Sequence, residues 1–204
     1  MRRTQNNKRR VRKRRSARFL RAALVVMLVL GLAGLGAVLL SDSLTERTIE
    51  RYPLEYTELI CQNAREQGLE PAYVAAVILA ESSYNPEAVS RDNAQGLMQI
   101  LPSTAEWIAG KFDESYMEGC LFDPETNIKY GCWYLGFLMR RYDGSMRCSS
   151  AAYHAGQGTV DKWLADPAYS SDGKTLDKIA SDATGTYVER VLKYYEKYEE
   201  IYAS

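Results

Sequence analysis

The residues Val74-Ala75-Ala76-Val77-Ile78 are apolar without a break, and a proline stands on either side of them, Pro71 before and Pro86 after. Pro71 suits the first position of a helix, where its missing N–H has no intrahelical partner to lose. The pair Asn85-Pro86 disfavours helical backbone and marks the stop. Between these signals lies one short helix without a polar face, and a helix apolar all round is a buried helix. The rest of the domain must enclose it.

Glu81 falls at the end of that helix. Residues three, four and seven apart share a face, so Val74, Val77, Ile78 and Glu81 form one stripe. The carboxylate has no solvated side to turn to. It also lies in the last turn, where the helix dipole is negative. Both effects disfavour the ionised form and predict a raised pKa. A carboxylic acid that stays protonated near neutral pH is equipped to act as a general acid. The competing reading is a helix-end Glu that reaches water or pairs with an arginine.

The rest of the body reads as helix and loop. Residues 54–67 predict a helix ended by Gly68, and "PSTAEW" starts another with Ser103 or Thr104 as its cap. "FDPETNIKYGCWYLGFLMRRY" is the clearest: Asp123 caps it, Pro124 opens it and Gly144 ends it. Its apolar stripe is Ile128, Cys132, Leu135, Leu138, Met139 and Tyr142. "SSAAYHAGQG" predicts a short apolar helix closed by glycines. "TYVERVLKYYEKYEEIY" predicts a final helix with Tyr187, Val188, Val191 and Tyr195 inward. Residues 89–101, carrying "GLMQI", read as a loop. No run alternates with a period of two, so the class is all-α with long functional loops.

The formal net charge of +0 conceals an asymmetry. Residues 1–21 hold 11 of the 26 Lys and Arg and no acid; the remainder holds all 26 acids against 15 bases. An acidic body is a poor nucleic-acid binder. Residues 22–40 carry no charge, and at about 1.5 Å per residue they span roughly 28 Å, close to a bilayer's hydrocarbon core. The organisation expected is a basic cytoplasmic tail (1–21), a transmembrane helix (22–40), a stalk (41–52) and an extracytoplasmic domain (53–204). A cleaved signal peptide is the rival, but the apolar run exceeds the usual length.

Cys61, Cys120, Cys132 and Cys148 all lie on the outer side, where thiols oxidise. Four cysteines allow three full pairings; the other reading is partial pairing with Cys132 buried as a thiol. Without C-x-x-C spacing, and with one His, a zinc site is not expected.

"AESSYNPEAVSRDNAQGLMQILPSTA" resembles the signature of the soluble lytic transglycosylase domain, a relative of goose-type lysozyme. "AAYHAGQGTV" resembles that family's second motif and "TYVERVLKYY" its third, a Tyr-Val pair opening the last helix. "YPLEYTELI" and "LFDPETNIKYGCWYL" follow the family's usual run, so the resemblance extends over about residues 52–198. It implies a lysozyme-like helical domain that cleaves the MurNAc-β-1,4-GlcNAc bond of peptidoglycan. The product would end in 1,6-anhydro-MurNAc, because the sugar's own C6 hydroxyl replaces water. Such a reaction needs one carboxyl group as acid and then base, where most glycosidases need two.

Carried over residue by residue, the resemblance implies Glu81 as the catalytic acid. Ser82 would orient the carboxyl or nearby backbone, with a helix-end bond to its own chain as the plainer reading. Gln99 would contact an N-acetyl sugar through an amide that both donates and accepts. Gly96 would let backbone approach sugar or helix closely, and Met98 would be a pocket wall or core. Tyr153 would stack on a sugar face, and Tyr187 would hydrogen-bond the catalytic Glu. His154 replaces the family's usual Asn; an imidazole donates and accepts like an amide but titrates near neutral pH. Ala183 and Gly185 stand where many relatives carry Glu and Arg, and Asn93 replaces a common Gly, which Asn's tolerance of left-handed backbone allows. The implied partners are peptidoglycan strands, the cell membrane through residues 22–40, and cell-wall or secretion machinery. Neither nucleic acid, metal nor cofactor is implied.

Two alternatives stand beside this reading. A lysozyme-like hydrolase would need a second carboxylate to position water, with Asp92 and Glu87 as candidates. A non-catalytic glycan-binding assembly protein would keep the old site for grip.

Overall fold

The capping and breaking signals become helices at nearly the places they mark. The computed structural model describes residues 51–203 and, before them, Met27 alone. The basic tail, nearly all of the 22–40 segment and the stalk to residue 50 lie outside the described residues. Among the described residues no helix is long and apolar enough to cross a membrane.

Helix α1 is Thr57–Gln67. It starts three residues later than the pattern predicts, because Tyr56 is left-handed at φ 59° and the Thr57 hydroxyl takes the Leu54 carbonyl at 2.6 Å. Gly68, at φ 67°, ends it with its N–H on the last free carbonyls, as a left-handed glycine does. Helix α2 is Pro71–Ser82 and is buried on every side from Ala72 to Ile78. Burial of Val74, Val77 and Ile78 is worth roughly 2 kcal/mol each. The helix stops before Asn85-Pro86, because Ser83 and Tyr84 both adopt left-handed backbone, φ 52° and 65°. Neither is glycine, and such backbone costs about 1–2 kcal/mol per residue. The buried Tyr84 ring offsets that cost.

Helix α3 is Pro102–Ala109. Its cap position is Leu101, not Ser103 or Thr104: Pro102 takes the first helical position and pushes both hydroxyls inside the helix. A 3-10 turn at Cys120–Phe122 leads into α4, Pro124–Arg141, where the Asp123 carboxylate accepts from the Thr126 N–H at 2.9 Å. Helix α5 is Met146–Ala155, and α6, Gln157–Leu164, follows it after Gly156 alone. Helix α7, Asp182–Tyr202, begins before Tyr187, with Ser181 as its cap. Its inward stripe continues from Val191 to Tyr198, which is fully buried and donates to the Pro53 carbonyl at 2.9 Å. Tyr195 packs on the same side, its ring edge-to-face on the buried Tyr73 at 6.4 Å, while its hydroxyl donates to Glu70 at 2.6 Å.

Extended pairing among the described residues is limited to two isolated bridges, Val89 to Gln95 and Gln95 to Ile100. The helices wrap α2, which packs most heavily against α7. All four cysteines are free thiols, Cys132 and Cys148 buried, so the expected disulfides do not form.

Candidate active site

The end of α2 places Glu81 where apolar packing gives way to surface. The residue is half-buried, and burial pushes its carboxyl up from 4.5 to about 7. Two influences pull part of that back: the Tyr187 hydroxyl donates to Oε1 at 2.7 Å, and the Arg190 guanidinium favours the anion. Burial therefore sets the direction of the shift, and the polar groups of α7 trim it.

The turn 96–99 lies beside this carboxyl. Gln95 and Ile100 exchange backbone hydrogen bonds across its neck, at 2.9 and 3.1 Å. Three successive carbonyls of the turn are each taken by a side chain from a different place. Gln99 Nε2 donates to Gly96 at 2.9 Å, Ser82 Oγ to Leu97 at 2.8 Å, and Tyr153 Oη to Met98 at 2.8 Å. From the far side, Asn127 Oδ1 accepts from the Met98 N–H at 2.8 Å, while its Nδ2 donates to the Gln95 and Leu121 carbonyls. Asn127 is fully buried, so each of these bonds replaces water that cannot reach it.

The expected sugar contacts divide on this geometry. Ser82 commits its one proton to the protein backbone. Met98 is fully buried, its sulfur against Gly131, so its side chain is core and not pocket wall. Gly96, at φ +76°, serves a close approach within the protein: a Cβ there would lie 2.1 Å from the Leu121 carbonyl oxygen. Gln99, left-handed at φ 48°, uses its amide nitrogen on Gly96 and on Ala88 at 3.0 Å. Its amide oxygen takes no hydrogen bond among the described residues. Tyr153 and Tyr187 are held well above the usual phenol range, by burial first and by the Glu81 charge next. Both remain neutral hydroxyls. Asn93 adopts φ 64°, the left-handed backbone its substitution for Gly anticipates.

His154 is exposed, with Nδ1 3.2 Å from Thr184 Oγ1 and its ring 4.6 Å from that of Tyr187. Burial of the ring and the Arg190 charge lower its pKa from 6.5. Asn127, Thr184 and Arg190 escape sequence reasoning. Asn127 leaves one signal, an uncharged amide next to Ile128 at the start of an otherwise apolar stripe; the other two look like ordinary helix-surface residues.

Glu87 and Asp92, the candidates for a second carboxylate, are both exposed in the 83–101 loop. Surface cavities of about 340 Å³, lined in part by Glu114, Lys129 and Tyr130, and about 320 Å³, lined in part by Arg141 and Asp161, include none of the residues around Glu81. Among the described residues no group of three His, Cys, Asp or Glu is placed to hold a metal ion.

Fold and site define a class: an all-helical domain organised around one half-buried carboxylic acid at a helix end. Residues 58–175 match the family described as "Transglycosylase SLT domain", and the chain belongs to that family. It is 34% identical over 158 residues to the soluble lytic murein transglycosylase of Salmonella typhimurium, covering 76% of this chain and 24% of that protein. It is 35% identical over 120 residues to the membrane-bound lytic murein transglycosylase C of Yersinia pestis, covering 52% of this chain and 32% of that one. It also superposes on an inactive Glu-to-Gln variant of the lytic transglycosylase Slt from Pseudomonas aeruginosa, with TM-score 0.66 and 28% identity over 74% of this chain and 25% of the other. The chain spans about a quarter to a third of the length of these relatives.

Proposed function

We propose that this chain is a membrane-anchored peptidoglycan lytic transglycosylase that cleaves the MurNAc-β-1,4-GlcNAc bond with Glu81 as its single acid and base. The observation that carries the reading is the Glu81 carboxyl held at about 7 with Tyr187 on Oε1. Because Tyr187 donates to Oε1, the proton of the neutral acid belongs on Oε2. From there it passes to the glycosidic oxygen as the C1–O bond breaks. The MurNAc C6 hydroxyl then bonds to C1, and its proton returns to Glu81. Acid and base are regenerated within one turnover and no water is consumed. Glu87 and Asp92, the carboxylates a hydrolase would draw on to position water, are exposed loop residues.

Gln99 would accept the N-acetyl N–H at its amide oxygen, its nitrogen being engaged already. Tyr153 would offer its ring to a sugar face, since its hydroxyl proton holds the turn. Residues 22–40 would anchor the domain outside the membrane; their uncharged length and basic N-terminal flank support this, as does a relative named as membrane-bound.

Purified sacculi digested with the wild type and with Glu81→Gln, followed by mass spectrometry of the muropeptides, test the reading. Anhydro ends from the wild type and none from the variant are expected. Reducing ends would make the protein a hydrolase, and intact sacculi with retained binding would make it a glycan-binding protein.

A further inference from the structure

The chain has one histidine, and it stands in contact with the residue that holds the candidate acid. His154 ends α5, yet both its partners lie on α7: Thr184 at 3.2 Å and the Tyr187 ring at 4.6 Å, the planes 31° apart. Thr184 and Tyr187 are three apart and share a helix face, so one imidazole clamps the first turns of α7. Tyr187 extends beyond that clamp to Glu81. The Arg190 guanidinium lies 5.8 Å from the centroid of the same ring.

We propose that His154 is a positioning residue whose neutral imidazole, tethered to Thr184 and packed on Tyr187, holds the Tyr187 hydroxyl against Glu81, so that the acid limb of activity belongs to His154. The inference rests on the transglycosylase reading. The groups facing the imidazole are Arg190, Tyr187 and Thr184 from α7, with Tyr153 beside it on α5 and Glu81 behind Tyr187. Arg190 disfavours a second cation there, in accord with the lowered pKa of His154. Protonation would place two cations beside one phenol ring and drive the imidazole off the Tyr187 face, so that Tyr187 no longer holds the Glu81 carboxyl in place. A general acid alone gives a rate that levels off at low pH; this arrangement makes it fall.

The test is the pH dependence of kcat on sacculi for the wild type, His154→Asn and His154→Phe. Asn keeps a polar tether and cannot titrate; Phe keeps the ring packing without tether or charge. The wild type should lose rate below the ordinary histidine range, and both variants should level off there instead. At neutral pH His154→Phe, which lacks the tether, should lose roughly tenfold in kcat, the worth of one neutral hydrogen bond, with KM unchanged, and His154→Asn should lose less. The imidazole gives a single NMR resonance, whose titration midpoint should coincide with the wild-type acid limb. An acid limb that persists in His154→Asn, or a midpoint that lies elsewhere, overturns this inference and leaves the transglycosylase reading intact. A wild type inactive at every pH removes both.

Discussion

The two sides of Glu81 are built differently. On one side, the turn 96–99 is held through its backbone: Gln99, Ser82 and Tyr153 donate to its carbonyls and Asn127 grips it from beneath. On the other, α7 reaches the site through side-chain tips, the Tyr187 hydroxyl on Glu81 and the His154 ring on Tyr187. Backbone bonds fix where a wall stands. Tip-to-tip bonds set how readily a proton leaves. The turn should therefore answer to changes in stability, and the helix to changes in pH.

The largest effect expected is on the helix side. Glu81→Gln should lower cleavage by at least roughly a hundredfold, the usual contribution of a general acid, with an unchanged circular dichroism spectrum. On the turn side, Asn127→Ala leaves the Met98 N–H and the Leu121 carbonyl buried without partners. It should cost about 3–5 kcal/mol and lower Tm by roughly 10 °C in calorimetry. Whatever activity remains should keep the wild-type pH profile; a shifted profile would break the division between the two sides.

Glu81→Gln should also stabilise the fold, in a pH-dependent way. The folded carboxyl binds its proton more tightly than the unfolded chain does, about 7 against 4.5. Burial of Glu81 therefore costs nothing below the lower value, costs progressively more as pH rises from the lower value to the higher, and levels off above it. Above pH 7 the variant should gain up to about 3 kcal/mol, and near pH 4 nothing, as denaturant titrations at the two pH values would show.

Tyr187→Phe removes a bond that favours the anion, so the Glu81 pKa rises further. The alkaline limb of activity should move to higher pH while kcat falls by roughly tenfold or less. The smallest effect belongs to Ser82→Ala, about 1 kcal/mol of stability with KM unmoved. A raised KM there would show that Ser82 serves the sugar as well as the Leu97 carbonyl it orients.

Much of this was legible in the residues. The Pro71 start, the Asp123 cap with Pro124 and the unbroken apolar run foretell α2, α4 and the burial that raises the Glu81 pKa, because they act within one or two turns of chain. Where a local signal had a rival, the sequence erred. Pro102 displaced the hydroxyl caps of α3, and two left-handed residues ended α2 before its proline. The inward stripe ran on past Tyr195 to Tyr198. Met98 could be pocket wall or core until the turn folds back on α4 and buries it.

The sequence by itself determined a buried helix with an acid at its end, since periodicity and breakers report which face of a segment meets water. Only the tertiary structure decided what the acid touches. Tyr187 stands 106 residues from Glu81, and Asn127 is 29 residues from Met98. Such a bond exists only once α7 docks on α2 and α4 closes under the turn. Hydrogen bonding is short-ranged and directional, so a pattern that specifies a face leaves the partner across that face to packing.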